Sequence, residues 1–306
     1  MFISILTKTI GQTRVLRSST INRHFSSNLS DYGNVEGIKL SEVADNVLNI
    51  QINRPEKRNA FTSTIIAGFR SIFDKLNTDK HFRTAIISNT GDFFTAGIDL
   101  NYFSSLYPTG VEDTARKAMR LLWLISNMQE TMKSVISCQK PIISVVNGGC
   151  IGFGVDLISC TDIRFCSEST FFQVKEVELG LAADMGSLQM LPRIVSNQSF
   201  LREVVFTGSK FSSKKGLEHG LVSKVLPDSE TAFQSALDVA KLIASRSPIA
   251  VQGSKVNLDY ARDHSVADGL KFNIVWNIAM LQGEDVMKSA MAIVSKSPEP
   301  PKFDDL

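Results

Sequence analysis

The chain is poor in the residues that usually signal metal or redox chemistry: its 306 residues include only four cysteines and four histidines. Cys138, Cys150, Cys160 and Cys166 form no CxxC pair, and His24, His81, His219 and His264 are scattered with no HxxxH or HExxH spacing, so no metal site is implied. Buried free thiols are the expectation. No GxxxxGK[ST] occurs, and Gly152-Phe153-Gly154 has Leu157 where a dinucleotide fingerprint needs its third glycine. An excess of one charge is missing too: 33 basic residues against 31 acids leave +2, far too balanced for a protein that reads a phosphate backbone, so nucleic acid is excluded as the main partner. Residues 141–160 come nearest to the roughly 20 apolar residues of a membrane span, but Asn147, Asp156 and several glycines interrupt them. A buried strand running into a buried helix is the better reading, and no membrane insertion is expected. What remains, 43% hydrophobic and 21% charged residues, is ordinary for a globular chain with a sizeable core.

One local absence is informative. Residues 1–30 carry Lys8, Arg14, Arg17 and Arg23 but no acid; the first is Asp31. A basic, serine-rich, acid-poor segment has the composition of a mitochondrial transit peptide, and Arg23-His24-Phe25-Ser26-Ser27 resembles a processing site cut after Phe25. Without those four charges, 29 basic residues would face the same 31 acids. The tail Phe303-Asp304-Asp305-Leu306 does not match the S-K-L peroxisomal signal, so the expected location is the mitochondrial matrix.

Patterning points to the α/β class. Val47–Ile52 alternates with strand period, 62–76 switches to helical spacing, and 84–88 returns to strand. The spacing predicts a loop over 91–99 and a helix over 113–136 with Met119, Leu122, Ile125 and Met128 as its apolar stripe. It also predicts strands at Ile142–Val146, 162–166 and Phe171–Gln173, a helix over 154–159, and loop and helix over 181–197. Strands alternating with helices give way after Glu230 to helices at 230–245, 248–262 and 266–294. A core over 31–246 and a helical region over 247–306 follow, with Ser247-Pro248 at the boundary. The last helices carry more apolar positions, such as Phe272, Val275, Trp276, Ile278 and Met280, than their own packing needs.

Two stretches present backbone donors. Gly148-Gly149-Cys150-Ile151-Gly152-Phe153-Gly154 joins a buried strand to a helix carrying Asp156, and a helix N-terminus after a glycine turn favours an anionic oxygen. Phe94-Thr95-Ala96-Gly97-Ile98-Asp99-Leu100 is a second small-residue loop after a strand. Two such loops can grip one oxygen, as an enolate requires; read alone, they are also compatible with ordinary tight turns. Three acids lie close by in sequence: Asp156, Glu176 and Asp184, the last inside the apolar Leu181-Ala182-Ala183-Asp184-Met185-Gly186. Acids crowded among apolar residues cannot all ionise cheaply, so one can donate a proton while another accepts. Each also has a plain structural reading: Asp156 favouring a helix start, Glu176 beside Glu178 in a solvated loop, Asp184 capping a helix that begins at Met185.

Together these segments resemble the crotonase (enoyl-CoA hydratase/isomerase) superfamily from about Ile38 to the C-terminal helices. The resemblance rests on Asn53-Arg54-Pro55 to Asn59-Ala60, on Ala96-Gly97-Ile98-Asp99-Leu100 and on the glycine turn. It is narrower to the dienoyl-CoA isomerase branch, through the glycine turn with Val155-Asp156-Leu157, Phe171-Phe172-Gln173-Val174-Lys175-Glu176-Val177, Gly180-Leu181-Ala182-Ala183-Asp184, Val251-Gln252 to Leu258, and Arg262-Asp263-His264-Ser265-Val266-Ala267. The resemblance implies a ββα spiral core with a C-terminal oligomerisation region, assembled as homotrimer or homohexamer. It implies conversion of 3-trans,5-cis-dienoyl-CoA to 2-trans,4-trans-dienoyl-CoA in fatty acid β-oxidation, with no cofactor beyond the CoA of the substrate. By the same resemblance, Ile98 and Phe153 N–H groups form an oxyanion hole, Glu176 takes a C2 proton, Asp184 returns one at C6 and Asp156 orients the pair. Arg58, Asn59 and Ala60 would lie near the CoA adenine. A hydratase of the family carries Glu at the position of Asp156 and Gly at that of Asp184. Phe153 departs from the family glycine, so its ring either points away or narrows the pocket. The alternatives are an enoyl-CoA hydratase or a non-catalytic crotonase-fold binding protein.

Overall fold

Ile142–Val146 is buried on both faces along its whole length, as a strand inside a parallel sheet covered on both sides must be. In the computed structural model, which describes residues 29–106, 113–297 and 300–306, this strand lies inside a six-stranded sheet. The expected leader lies outside the described residues except for Leu29 and Ser30, which open a 3-10 turn at Leu29–Tyr32.

In chain order the elements are β1 (Ile38–Ala44), β2 (Val47–Ile52), α1 (Ser63–Thr78), β3 (Thr84–Asn89), β4 (Phe93–Thr95), α2 (Leu100–Ser105), α3 (Thr114–Ser137), β5 (Ile142–Val146), β6 (Gly149–Ile151) and α4 (Phe153–Ser159). There follow β7 (Ile163–Ser167), β8 (Phe171–Gln173), α5 (Ser187–Ile194), α6 (Gln198–Thr207), β9 (Phe211–Ser212), α7 (Ser213–Glu218) and β10 (Lys224–Leu226). Four helices end the chain: α8 (Ser229–Ala244), α9 (Pro248–Tyr260), α10 (Val266–Met280) and α11 (Glu284–Val294). The large sheet runs β1-β2-β3-β5-β7-β10 and the small one β4-β6-β8-β9. Each of the pairs β3/β4, β5/β6 and β7/β8 gives one strand to each sheet and is followed by helix. That repeat is the ββα spiral. The neighbours β2, β3, β5, β7 and β10 are parallel, so each connection crosses over through a helix, while β1 pairs antiparallel to β2.

Strand alternation divides the core. Leu48, Ile50, Ile52, Ala85, Ile87, Ile142 and Val146 face α1, whose Ile65, Phe69, Ile72, Phe73 and Leu76 complete the main cluster. Val47, Ile86, Ile143, Val145 and Phe165 face the opposite way onto α8. That helix presents Ala232, Ala236, Ala240 and Ala244 every fourth residue, so its axis can approach the sheet closely. Cys138, Cys150, Cys160 and Cys166 are free and buried. The apolar stretch 141–160 divides into β5, β6 and α4, and no helix among the described residues is long and apolar enough to cross a membrane.

Several boundaries differ from expectation. The loop over 91–99 contains β4, a three-residue strand too short to show a period. The helix over 266–294 is two, α10 and α11, interrupted at Gln282 and Gly283, the latter serving as N-cap. Of the predicted α3 stripe, Ile125 and Met128 face inward, while Met119 and Leu122 are largely exposed. No residue of α10 or α11 is buried, although Leu270, Ile274, Ile278 and Met291 are apolar.

Candidate active site

The three parallel strands of the small sheet end on one side, and the loops leaving them enclose a cavity of about 720 Å³. Ala96, Gly97, Ile98, Asp99 and Leu100 follow β4, while Ile151, Gly152 and Phe153 follow β6. Glu176, Leu181, Asp184 and Met185 come from the stretch after β8. Leu121, Leu124, Ile125 and Met128 of α3 close the far wall. A larger cavity of about 910 Å³ lies between α8, α9, α11 and the C-terminal tail and contains none of these acids.

The two donor loops meet in space. Gly97 is held at φ +96°, and a Cβ built on it would stand 3.2 Å from the Ile151 carbonyl oxygen and 3.9 Å from the Phe153 nitrogen. Ile98 pairs with Phe61 as an isolated parallel bridge in which Phe61 N–H donates to Gly97 O and Asp99 N–H donates to Phe61 O. That pattern uses the groups flanking Ile98 and turns its own N–H to the other side. Phe153 is the first residue of α4, so its N–H has no carbonyl within the helix to meet. The cavity wall therefore offers two amide donors from separate loops.

Asp99 does a structural task there. Its carboxylate caps α2 through the Asn101 and Tyr102 N–H groups and accepts from Arg54 Nη1 at 2.8 Å, which holds its acid range below the ordinary one. The same guanidinium donates to Ala60 O, tying the 54–60 loop to the donor loop. Asn59 is fully buried: Oδ1 accepts from Arg54 N–H, and Nδ2 donates to the Thr90 and Phe93 carbonyls. It is thus a latch behind the loop and does not line the cavity. Its neighbours Lys57, Arg58 and Ala60 do, and Arg58 lies over the Phe93 ring. Leu100 stands 71% exposed at the rim.

The Phe153 ring points into the core. It is 2% exposed and packs against Phe61, with ring centroids 4.7 Å apart. The residue lends the cavity its backbone donor without obstructing it with the benzyl group.

The three acids converge on the cavity. Asp156, in the first turn of α4, is 1% exposed, and its Oδ1 accepts from Ser187 N–H at 2.7 Å. It ties α4 to α5 rather than capping its own helix. Burial, with Glu176 and then Asp184 adding repulsion against the partial relief from Ser187, pushes its acid range up to about 7. Glu176 is raised by burial and by the Asp184 charge; its Oε2 is buried and has no hydrogen-bond partner. Asp184 is raised by burial. It does not cap α5, which starts at Ser187 with Gly186 as N-cap.

Gly152 joins these parts. At φ +52°, a Cβ there would lie 2.9 Å from Glu176 Oε1. Gly152→Ala should therefore displace the carboxylate and strain the turn that aims the Phe153 N–H. The expected loss of kcat/KM is about 100-fold, since misplacing a reacting group by ~1 Å costs that much, with a melting temperature only a few degrees lower.

Sequence reasoning puts Ile125 and Met128 of the α3 wall on an apolar stripe but misses Leu121, Leu124 and the Ser187 contact. Residues 121–125, Leu-Leu-Trp-Leu-Ile, are apolar on every face, so no period could select the inward one. Among the described residues, no group of histidines, cysteines and acids is arranged to hold a metal ion.

Residues 42–305 match the family model described as enoyl-CoA hydratase/isomerase. The chain belongs to the enoyl-CoA hydratase/isomerase family. Relatives in that family include the rat "Delta(3,5)-Delta(2,4)-dienoyl-CoA isomerase, mitochondrial", 44% identical over 277 residues that span 90% of this chain and 84% of that one. The human protein of the same name is 46% identical over 84% of this chain and 79% of its own. An Arabidopsis thaliana relative labelled peroxisomal is 36% identical over 82% of this chain and 90% of its own. Among solved structures, an enoyl-CoA hydratase from Bacillus anthracis superposes with a TM-score of 0.79 over 88% of this chain and 99% of that one, at 23% identity. That likeness establishes the shared enoyl-CoA hydratase/isomerase fold.

Proposed function

We propose that the chain is a Δ3,5-Δ2,4-dienoyl-CoA isomerase whose thioester carbonyl accepts hydrogen bonds from the Ile98 and Phe153 N–H groups. Ionised Glu176 removes a proton from C2, and the electron pair delocalises over the thioester oxygen and the chain to C6. Protonated Asp184 donates to C6, which leaves double bonds at C2 and C4. Glu176 then carries a proton and Asp184 a negative charge, and loss of the first proton to water and uptake of another from water by Asp184 restore the starting pair. The observation that carries the reading is three acids, Asp156 buried and Glu176 and Asp184 half-buried, all with raised acid ranges, around one cavity walled by two amide donors. Each positioned acid or base of this kind contributes roughly 10²–10⁴-fold, and removing one oxyanion donor costs about 10²–10³-fold. CoA arrives with the substrate, so the proposal needs no separate cofactor.

Lys57 and Arg58, exposed, and Lys175, half-exposed, line the cavity with positive side chains suited to the CoA phosphates. Leu121, Leu124, Ile125 and Met128 supply an apolar wall suited to the acyl chain. The mitochondrial names of the animal relatives and the acid-poor leader support a matrix enzyme. The uncovered apolar residues of α10 and α11 support self-association, as trimer or hexamer, through 247–306. The purified chain without its leader, given 3,5-octadienoyl-CoA, should generate the ultraviolet absorbance of a conjugated 2,4-dienoyl thioester. It should hydrate a 2-enoyl-CoA far more slowly. Hydration without the absorbance rise would refute the proposal.

Asp156 makes a separate stability prediction. Its unfolded acid range is near ~3.9, and in the folded chain it is raised to about 7. The neutral buried acid is therefore fully tolerated below about pH 4, and stability is lost as pH rises through about 7. Asp156→Asn cannot ionise and still accepts from Ser187, so it should melt several degrees above the natural chain at pH 8, at roughly 2–4 °C per kcal/mol. The gap should narrow at pH 5; equal gaps at both pH values would contradict the buried-acid account.

A further inference from the structure

Asp184 sits on a weakly anchored stretch. Gly180 at φ +78° and Gly186 at φ +127° bracket it, both with open space where a side chain would go. Ala183 and Met185 are buried and hold the stretch by packing. Among the described residues, a single hydrogen bond reaches 182–185 from another element: Gln129 Nε2 donates to the Asp184 carbonyl oxygen at 2.6 Å. Gln129 lies on α3, one residue past Met128 and one turn past Ile125, both of which line the cavity.

We infer that Gln129 is the positioning residue for Asp184, holding its main chain so that the carboxyl meets the far end of the diene, and that it couples this placement to the acyl-lining face of α3. The inference rests on the isomerase reading. One hydrogen bond and two packed side chains hold an acid that must sit within hydrogen-bond reach of one carbon. Gln129 touches neither substrate nor carboxylate, so its removal should damage only the half-reaction that uses Asp184. Proton removal at C2 depends on Glu176 and the two amide donors, none of which Gln129 contacts.

The test is Gln129→Met, nearly isosteric and unable to donate, assayed with 3,5-octadienoyl-CoA in ²H₂O. Two rates are read by NMR: exchange at C2 of unreacted substrate, and formation of 2,4-dienoyl-CoA. The ratio of C2 exchange to isomerisation should rise ~10–100-fold, the cost of a misplacement of about 1 Å, with kcat falling and KM changing less than about threefold. Gln129→Lys, which keeps a donor on a chain long enough to reach the carbonyl, should restore most of the isomerisation. An unchanged ratio in Gln129→Met, or equal damage in the lysine and methionine variants, would overturn the positioning role. If Gln129→Met does not fold, a lysine variant with a natural ratio supports the role and one with a raised ratio overturns it. A natural chain that hydrates 2-enoyl-CoA but forms no 2,4-dienoyl product would overturn the isomerase reading and this inference together.

Discussion

Glu176→Gln should lower kcat on 3,5-dienoyl-CoA by about 10³–10⁴-fold, toward the upper end of what a positioned general base contributes, with little change in KM. The side chain lies against Gly152 Cα, beside the Phe153 donor, and one of its oxygens is buried without a partner. An unpartnered, buried carboxylate oxygen is costly in a resting protein, and the proposed mechanism gives it a use, accepting a proton from bound substrate. Glutamine keeps the shape and removes only the basicity. Exchange of C2 hydrogens with ²H₂O should vanish together with isomerisation, because both begin with the same proton removal. A Glu176→Gln enzyme that still exchanged at C2 would assign the base elsewhere.

Asp184→Asn should separate the two events. The oxyanion donors and Glu176 are untouched, so the trienolate still forms and C2 exchange persists within a few-fold of the natural rate. Delivery at C6 fails, and formation of the conjugated product falls by about 10²–10³-fold. A structural role alone would depress both rates together. The natural enzyme should show a bell-shaped pH dependence, since Glu176 must be ionised and Asp184 protonated. Burial raises both, so the bell lies above the ordinary carboxylate range. The acid limb is lost as Glu176 protonates; the alkaline limb is lost as Asp184 ionises. C2 exchange, which needs only ionised Glu176, should keep the acid limb and lack the alkaline limb in both the natural enzyme and Asp184→Asn.

What could be read before folding was what is local. The glycine turn before Asp156 and the small-residue loop at 96–100 show themselves because backbone donors near a strand end need small residues and positive φ, as Gly97 and Gly152 have. Asp184 stood out because an acid within Leu-Ala-Ala-Asp-Met-Gly is anomalous in any globular chain. β2 is visible by its alternation, and β3 and β5 by short runs of apolar residues whose two faces are both buried. β1 is not: Ile38-Lys39-Leu40-Ser41 alternates for only four residues before Glu42, and its side chains are mostly half-exposed at the sheet edge. β4 and β6 are three residues each and owe their conformation to neighbouring strands. The roles of Asn59 and Asp99 as latch and cap, and of Gln129 and Ser187 as tethers, depend on partners 31 to 55 residues away for all but the cap itself. No periodicity encodes such contacts. The direction of the Phe153 ring was undecided for the same reason, because Phe61 lies 92 positions earlier and only the fold brings the two rings together.

The most direct measurement of the central claim is where label enters the chain. In ²H₂O, product isolated after brief turnover of 3,5-octadienoyl-CoA should carry its newly acquired deuterium at C6, read by NMR, with none at C4 and no hydroxyl at C3. Deuterium at C4, or a 3-hydroxy product, would contradict an acid placed at each end of the diene.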